Sequence, residues 1–281
     1  MVRAGLEPAV TGARVTAVTI FDERSLRRHP GPTEDFVDRL VGDTMLAPQR
    51  RGKFMWIPLA SGSDALVTHL GMSGQVLLRD TATDDPRTRI RLDLEHPAHG
   101  PVRLNFVDQR IFGSMAIDEL VPTADHPEQL VPTAVSHIAR DPLDLRFDDR
   151  RFLTRLAAKN TTIKRALLDQ TLISGIGNIY ADESLWAARV HYEQPTATLS
   201  RARAKVLLAE VRLVLAKALT EGGTSFDTQY LNVNGQAGYF AHSLNAYGRQ
   251  GEPCPRCGRP IVRESFMNRG SHFCPYCQRV R

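Results

Sequence analysis

The sequence has no apolar run of membrane-spanning length and no charged-then-apolar segment at its start, so a bilayer-crossing helix is excluded and the expectation is a cytoplasmic chain. It has no internal repeat and no low-complexity segment. Cysteine is scarce, 4 in 281 residues, and all four lie in one late cluster, which excludes a disulfide framework spread through the fold. Excess charge is also small: a net +5 means that a basic surface for an acidic partner has to be local. The composition, 42% hydrophobic and 24% charged, excludes a disordered class, and the length suits two modest domains.

The basic charge is local. Residues 150–165 carry six Lys or Arg and no acid, and residues 249–281 carry seven Arg against two Glu. The first run leads into residues 159–189, which read as two helices joined by a glycine-pinched turn. Thr161 or Thr162 is placed to cap the first helix, with Ile163, Ala166 and Leu167 on its buried face. Gly175 and Gly177 permit a tight turn, and Asn178 is expected to cap the second helix. A helix N-terminus with Lys159, Lys164 and Arg165 nearby is suited to a phosphate; the alternative is an ordinary helical hairpin with a solvated basic face.

Ahead of this stretch the pattern is that of strands. Residues 14–21, 54–59, 65–70, 75–79, 88–94 and 102–107 are short, rich in β-formers and separated by turn residues, which predicts a sandwich or barrel-like β domain. Val2, Leu6, Ala9 and Val10 recur at helical spacing before it, with no N-cap. The proline-punctuated stretch 123–140 reads as a linker. Residues 200–221 are an amphipathic helix ending at Gly222-Gly223.

The last motif carries the most chemistry. Cys254-Pro-Arg-Cys257 and Cys274-Pro-Tyr-Cys277, sixteen residues apart, have zinc-ribbon spacing. A disulfide pair is disfavoured in the cytoplasm, and a redox Cys-x-x-Cys usually stands alone at a helix start. Four thiolates close the coordination of one structural zinc, so the metal would hold a hairpin and not activate water. Between the knuckles, 263–269 is a candidate fingertip that could set Arg269 on a phosphate; the alternative is a solvated arginine.

In their order along the chain, Arg50-Arg-Gly-Lys53, His69-Leu-Gly-Met-Ser-Gly74, Asp108-Gln-Arg-Ile-Phe-Gly113, Leu167-Leu-Asp-Gln170, Ser174-Gly-Ile-Gly-Asn-Ile-Tyr-Ala-Asp-Glu183, Gly222-Gly-Thr-Ser225 and the cysteine ribbon resemble the bacterial formamidopyrimidine-DNA glycosylase family. The resemblance runs through nearly the whole chain. It implies an α+β multi-domain fold: a β-sandwich over 1–122, the linker 123–140, a helix-two-turn-helix DNA-binding domain with a lesion-recognition loop over 141–248, and a zinc ribbon over 249–281. It also implies base-excision repair by a monomer that holds double-stranded DNA between its halves, removes oxidised purines such as 8-oxoguanine and formamidopyrimidines, and cleaves abasic sites as a lyase.

The family's roles fall on particular residues here. Met72, Arg110 and Phe112 match the group that fills the hole left by a flipped base, a task that asks for an apolar wedge and a cation. Arg87, Lys159, Asn178 and Arg269 match phosphate contacts, and Lys53 and Arg269 match residues of strand cleavage. Bare of the resemblance, Lys53 would be a solvated hairpin lysine and Met72 and Phe112 loop contacts. Arg87 and Arg89 stand where the family commonly has histidines, and arginine keeps the charge. Residues 224–239 match the loop that closes over the flipped base.

The front departs from the family. A proline at the mature N-terminus, whose amine attacks the deoxyribose C1′ to form an iminium, and a glutamate that handles protons beside it have no counterpart ahead of Val2; with residues 2–6 set against the family's first helix, about eight residues including these two are unmatched. Two expectations follow: a start that lies upstream, or a catalytically impaired relative that binds damaged DNA. A third reading, a zinc-ribbon accessory protein of the ribosome or of transcription, gives Met72, Arg110 and Phe112 no reason to match a wedge.

Overall fold

In a computed structural model of the chain, which describes residues 2–82, 85–221 and 243–281, the backbone divides into two units, one up to His137 and one from Ile138 onward.

The first unit is built of antiparallel strands, each followed by a turn. Its helix α1 (Val2–Val10) has the periodicity read from the sequence, and Leu6 and Val10, one turn apart, are fully buried. The strands are β1 (Arg14–Ile20), β2 (Gln49–Arg51), β3 (Phe54–Pro58), β4 (Asp64–His69), β5 (Gly74–Arg79), β6 (Thr88–His96), β7 (Gly100–Asp108), β8 (Ser114–Pro122) and β9 (Leu130–Pro132), with the short helix α2 (Thr33–Asp38) after β1. They form one sheet in the order β1-β6-β7-β5 and another in the order β2-β3-β4-β8-β9. Along β6, Ile90, Leu92 and Leu94 point inward while Arg91 and Asp93 alternate with them, the period of two that a half-buried strand requires. These residues share a core with Met55 and Ile57 of β3, Leu66 of β4, Phe106 of β7 and Ile117 of β8, so the two sheets pack as a sandwich.

The stretch 123–140, read from its prolines as a linker, contains β9 and a 3-10 turn, Thr133–Val135, with Val131 and Val135 fully buried. β9 is an edge strand, where a proline's missing N–H leaves no ladder bond unmade. That is why Pro132 does not exclude it.

The second unit contains α3 (Asp149–Ala157), α4 (Ile163–Leu168), α5 (Asn178–Ala187), α6 (Arg201–Thr220) and a terminal hairpin of β10 (Val262–Phe266) and β11 (Arg269–Phe273). Ser200 caps α6 by accepting from Arg203 N–H. The hairpin is not a separate body. Phe266 and Phe273 pack edge-on and tilted against Tyr192, at 5.6 and 5.2 Å between ring centres, inside a core that includes Phe152, Leu167, Leu185 and Leu208. The hairpin, besides being tied by the metal, borrows a core from the helices.

Candidate nucleic-acid interface

In the first unit, Met72 and Phe112 are large apolar side chains presented to solvent, 56% and 43% exposed. The loops that carry them are fixed from below. Asp108, fully buried, accepts from the N–H groups of Arg110 (3.1 Å), Ile111 (3.0 Å) and Gly113 (2.6 Å), and from the Ser73 hydroxyl beside Met72. One carboxylate thus ties both loops together. Gly71 has φ +63°, and a Cβ there would come within 2.6 Å of the Phe112 carbonyl, so only glycine allows this approach. The buried Phe106 ring lies beneath, where a Cβ on Gly113 would meet it at 2.7 Å. Arg110 is exposed and its guanidinium lies 5.4 Å from the centre of the Phe112 ring. The structure therefore brings Met72, Arg110 and Phe112 to loops held by a shared carboxylate.

Lys53 is exposed at the tip of the β2–β3 hairpin, after Gly52 at φ +59°. Next to it, the Phe54 ring lies tilted against His69, 4.7 Å between centres, and under Arg28 at 5.6 Å. His69 is pushed down to about 4 from 6.5, first by burial and then by the positive charges of Arg28, Lys53 and Arg27. A neutral imidazole among cations marks a locally positive surface. Arg28, Phe54, His69 and Ser114 also line a cavity of about 150 Å³. Arg87 is exposed with φ +67°, and its carbonyl accepts from Asp108 N–H. Arg89 instead is committed to the fold, donating to the Asp108 carbonyl at 2.7 Å and pairing with Asp22.

In the second unit the turn between α4 and α5 has Gly175 at φ +86°, and Gln170 bridges it by accepting from Gly175 N–H and donating to the Leu168 and Ile176 carbonyls. Asn178 does not cap α5. Gly177 holds the cap position, and Asn178, the first helical residue, donates its amide to the Gly270 carbonyl at 3.1 Å. The reason is the hairpin, which presents an acceptor that the sequence does not reveal. Lys164, fully buried, donates to the same carbonyl at 3.1 Å and to the Ser271 hydroxyl at 2.7 Å, and pairs with Asp182 at 2.6 Å. Burial drives the Lys164 pKa down, and Asp182 opposes that shift. Arg269 follows the hairpin turn and is exposed, and among the described residues its side chain donates to the neighbouring Asn268. Arg269 and Asn178 are thus joined through Gly270. Lys159 is half-buried and paired with Asp169 at 2.7 Å.

The four cysteine sulfurs lie within 4.8 Å of one another. Tetrahedral Zn–S bonds of about 2.3 Å place sulfurs about 3.8 Å apart, so the set fits one ion. Trp186 donates its indole N–H to the Cys254 sulfur at 3.4 Å and Cys277 N–H approaches the Cys274 sulfur at 3.5 Å, contacts that favour thiolate. The buried Glu183 carboxylate accepts from the N–H groups of Asn245, Ala246 and Tyr247, fixing the segment that leads into the ribbon. The ribbon holds one structural zinc.

Three family models match the chain: the formamidopyrimidine-DNA glycosylase N-terminal domain over residues 1–115, the formamidopyrimidine-DNA glycosylase H2TH domain over 138–230, and a zinc finger found in FPG and IleRS over 251–280. The chain belongs to the formamidopyrimidine-DNA glycosylase family. Members of this family are DNA glycosylases with abasic-site lyase activity. The formamidopyrimidine-DNA glycosylase of Leifsonia xyli is 62% identical across all of this chain and 97% of its own length, and that of Thermobifida fusca is 51% identical across 99% and 95%. Among solved structures, the Lactococcus lactis Fpg in complex with abasic-site DNA superposes with a TM-score of 0.82 at 28% identity over 99% of this chain and 97% of that one. The MutM (Fpg) protein of Thermus thermophilus gives 0.80 at 35% identity over 99% and 96%. The matched ranges agree with the α+β fold of sandwich, helix-two-turn-helix and ribbon.

Two parts of the sequence reading meet the structure unevenly. Residues 224–239, matched to the loop that closes over a flipped base, and the Gly222-Gly223 pair read as the end of the preceding helix lie outside the described residues. Lys164, read from the sequence as a cation suited to a phosphate, is instead fully buried and committed to Asp182 and the hairpin. Asp108 in the first unit and Glu183 in the second fix their loops, and sequence reasoning gave them no role; the only signal was that both stand within quoted motifs. Among the described residues, no helix is long and apolar enough to cross a membrane.

Proposed function

We propose that this chain recognises oxidised purines in double-stranded DNA as a monomer of base-excision repair, using Met72, Arg110 and Phe112 as the group that replaces a flipped base. The observation that carries this reading is a pair of exposed apolar side chains on loops clamped by one buried carboxylate. Solvated Met and Phe side chains gain little from burial in the free protein, whereas between base steps they fill the gap left by the extruded nucleotide. Arg110, over the Phe112 ring, supplies donors for the orphaned partner base.

Lys53, Arg87, Lys159, Asn178 and Arg269 supply the phosphate contacts and the proton transfers of strand cleavage. Lys53, exposed beside the His69 cluster, and Arg269, exposed next to Gly270, have the exposure and charge that this requires. The fully ligated zinc holds the hairpin that carries Arg269 and takes no part in bond breaking.

The iminium chemistry asks for a secondary amine ahead of α1. The test is release of 8-oxoguanine and borohydride trapping on an 8-oxoguanine duplex, run on the chain as it stands and on a form with Pro-Glu-Leu-Pro-Glu ahead of Met1 and its own initiator removed. The extended form is expected to release the base and be trapped, and both forms to bind the damaged duplex alike. An extended form that binds the lesion no better than undamaged duplex overturns the reading.

A further inference from the structure

The loop that carries Phe112 is held from a second side, by a residue outside every motif quoted above. Arg27 follows the 3-10 helix Glu23–Leu26 and aims its guanidinium at three successive carbonyls: Ile111 at 2.8 Å, Phe112 at 2.6 Å and Gly113 at 2.9 Å. Asp108 takes the N–H groups of the same loop, so its donors go to one charged side chain and its acceptors to another. Ile111 sits at φ +55°, a conformation that a β-branched residue adopts only under constraint. The fork of the guanidinium matches this need: it offers donors in one plane to several acceptors at once, which a lysine ammonium on a flexible stem does not.

We infer that Arg27 is the positioning residue of the wedge, acting on lesion recognition through the Phe112 loop and not through its charge. The inference rests on the reading of Phe112 as a base-replacing wedge. Its physical content is preorganisation: a loop that stays in place while Phe112 enters the stack loses little conformational freedom on binding, and a loosened loop loses more. The loss would fall on the step that opens the stack, leaving attraction to the backbone as it was.

The experiment compares Arg27→Lys and Arg27→Gln with the unaltered chain. Binding is measured to an undamaged duplex and to the same duplex with a tetrahydrofuran abasic-site analogue, with 2-aminopurine beside the analogue to report unstacking. Both variants lose the three-carbonyl grip, whereas only Gln loses the charge. Both are expected to lower discrimination for the damaged duplex by about tenfold and to reduce the 2-aminopurine signal, as loss of charge-assisted hydrogen bonds implies. Arg27→Lys should bind undamaged duplex as before. If Lys behaves as the unaltered chain while Gln does not, Arg27 acts by charge and the inference is overturned. Phe112→Ala and the Phe112→Ala/Arg27→Lys double variant separate this from the wedge reading. A selective loss in Phe112→Ala that the double variant does not deepen supports Arg27 acting through the loop, and additive losses refute it. A neutral Phe112→Ala sinks the wedge reading itself. Should Arg27→Lys fold poorly, Gly71→Ala, which pushes on the Phe112 carbonyl without touching a charge, is expected to show the same selective loss, and unchanged discrimination there also overturns the inference.

Discussion

Lys164 Nζ lies 2.6 Å from Asp182 Oδ1, with neither side chain more than 1% exposed, and the Gly270 carbonyl and Ser271 hydroxyl complete the ammonium's shell. A charge so buried is tolerated only while its partner stays. Asp182 also accepts from His272 N–H at 2.9 Å, so one carboxylate serves both the ammonium and β11.

Asp182→Ala should therefore cost about 3–5 kcal/mol, the usual consequence of stranding a buried charge. Denaturant unfolding measures it. Lys164→Met paired with Asp182→Leu should recover much of the loss, because replacing both charges removes two desolvation costs at once. A single variant within about 0.5 kcal/mol of the parent would show that water reaches the pair.

The fold was legible where one physical signal dominated. The alternation of Ile90, Leu92 and Leu94, the periodicity of α6, and the ribbon spacing each name their element. β8 was missed because Met115, Ala116, Asp118 and Glu119 are poor β-formers, and its order comes from pairing between β4 and β9. The site was legible in its motifs and opaque in its supports. Arg27 reaches carbonyls 84 to 86 residues away, a pairing that tertiary folding creates and no local pattern encodes. Asn178 was misassigned for the same reason: its partner, Gly270, is 92 residues distant.

Zinc removal gives a second prediction. Metal analysis should find one zinc per chain, and Cys254→Ser or Cys274→Ser should loosen the hairpin and weaken binding to any duplex by detaching Arg269 from its place. Since Phe266 and Phe273 belong to the helical core, the loss should also lower the thermal midpoint of the second unit. Unchanged DNA affinity in a metal-free protein would remove the claim.

His69 gives a third, with a pH window. Its folded pKa, about 4, lies below the 6.5 of an unfolded histidine, so between these values the unfolded chain holds more protons. Stability is full above 6.5 and falls as pH drops toward 4; because the ring is partly exposed, the effect should be well below the unscreened linkage value. A phosphate beside Arg28 and Lys53 would offset the charges that depress His69 and raise its pKa. Binding would then take up a proton, and affinity should rise as pH falls from 7 toward 5. His69→Gln should flatten that slope, and an identical pH profile in the variant would place the phosphate elsewhere.

Lys159 and Asp169 give the last. Burial works to raise the Asp169 pKa, yet hydrogen bonds from Lys159 and Thr171 outweigh it and hold the carboxylate ionised. In the free chain Lys159 is thus already paired, and to meet a phosphate it has to leave a carboxylate that would also repel the incoming anion. Lys159→Ala should weaken binding to damaged and undamaged duplex alike and reduce the slope of log K against log salt by about one, the signature of one lost phosphate contact. Asp169→Asn should do the reverse. It removes the competing charge while its amide oxygen can still accept from Thr171 N–H, now at 2.9 Å to Asp169 Oδ1. Affinity for both duplexes is expected to rise severalfold at low salt, with the gain fading as salt screens the site. If Lys159→Ala leaves the salt slope unchanged, the 2.7 Å pair is a structural brace between the end of α3 and the turn after α4, and the phosphate contact belongs to another cation.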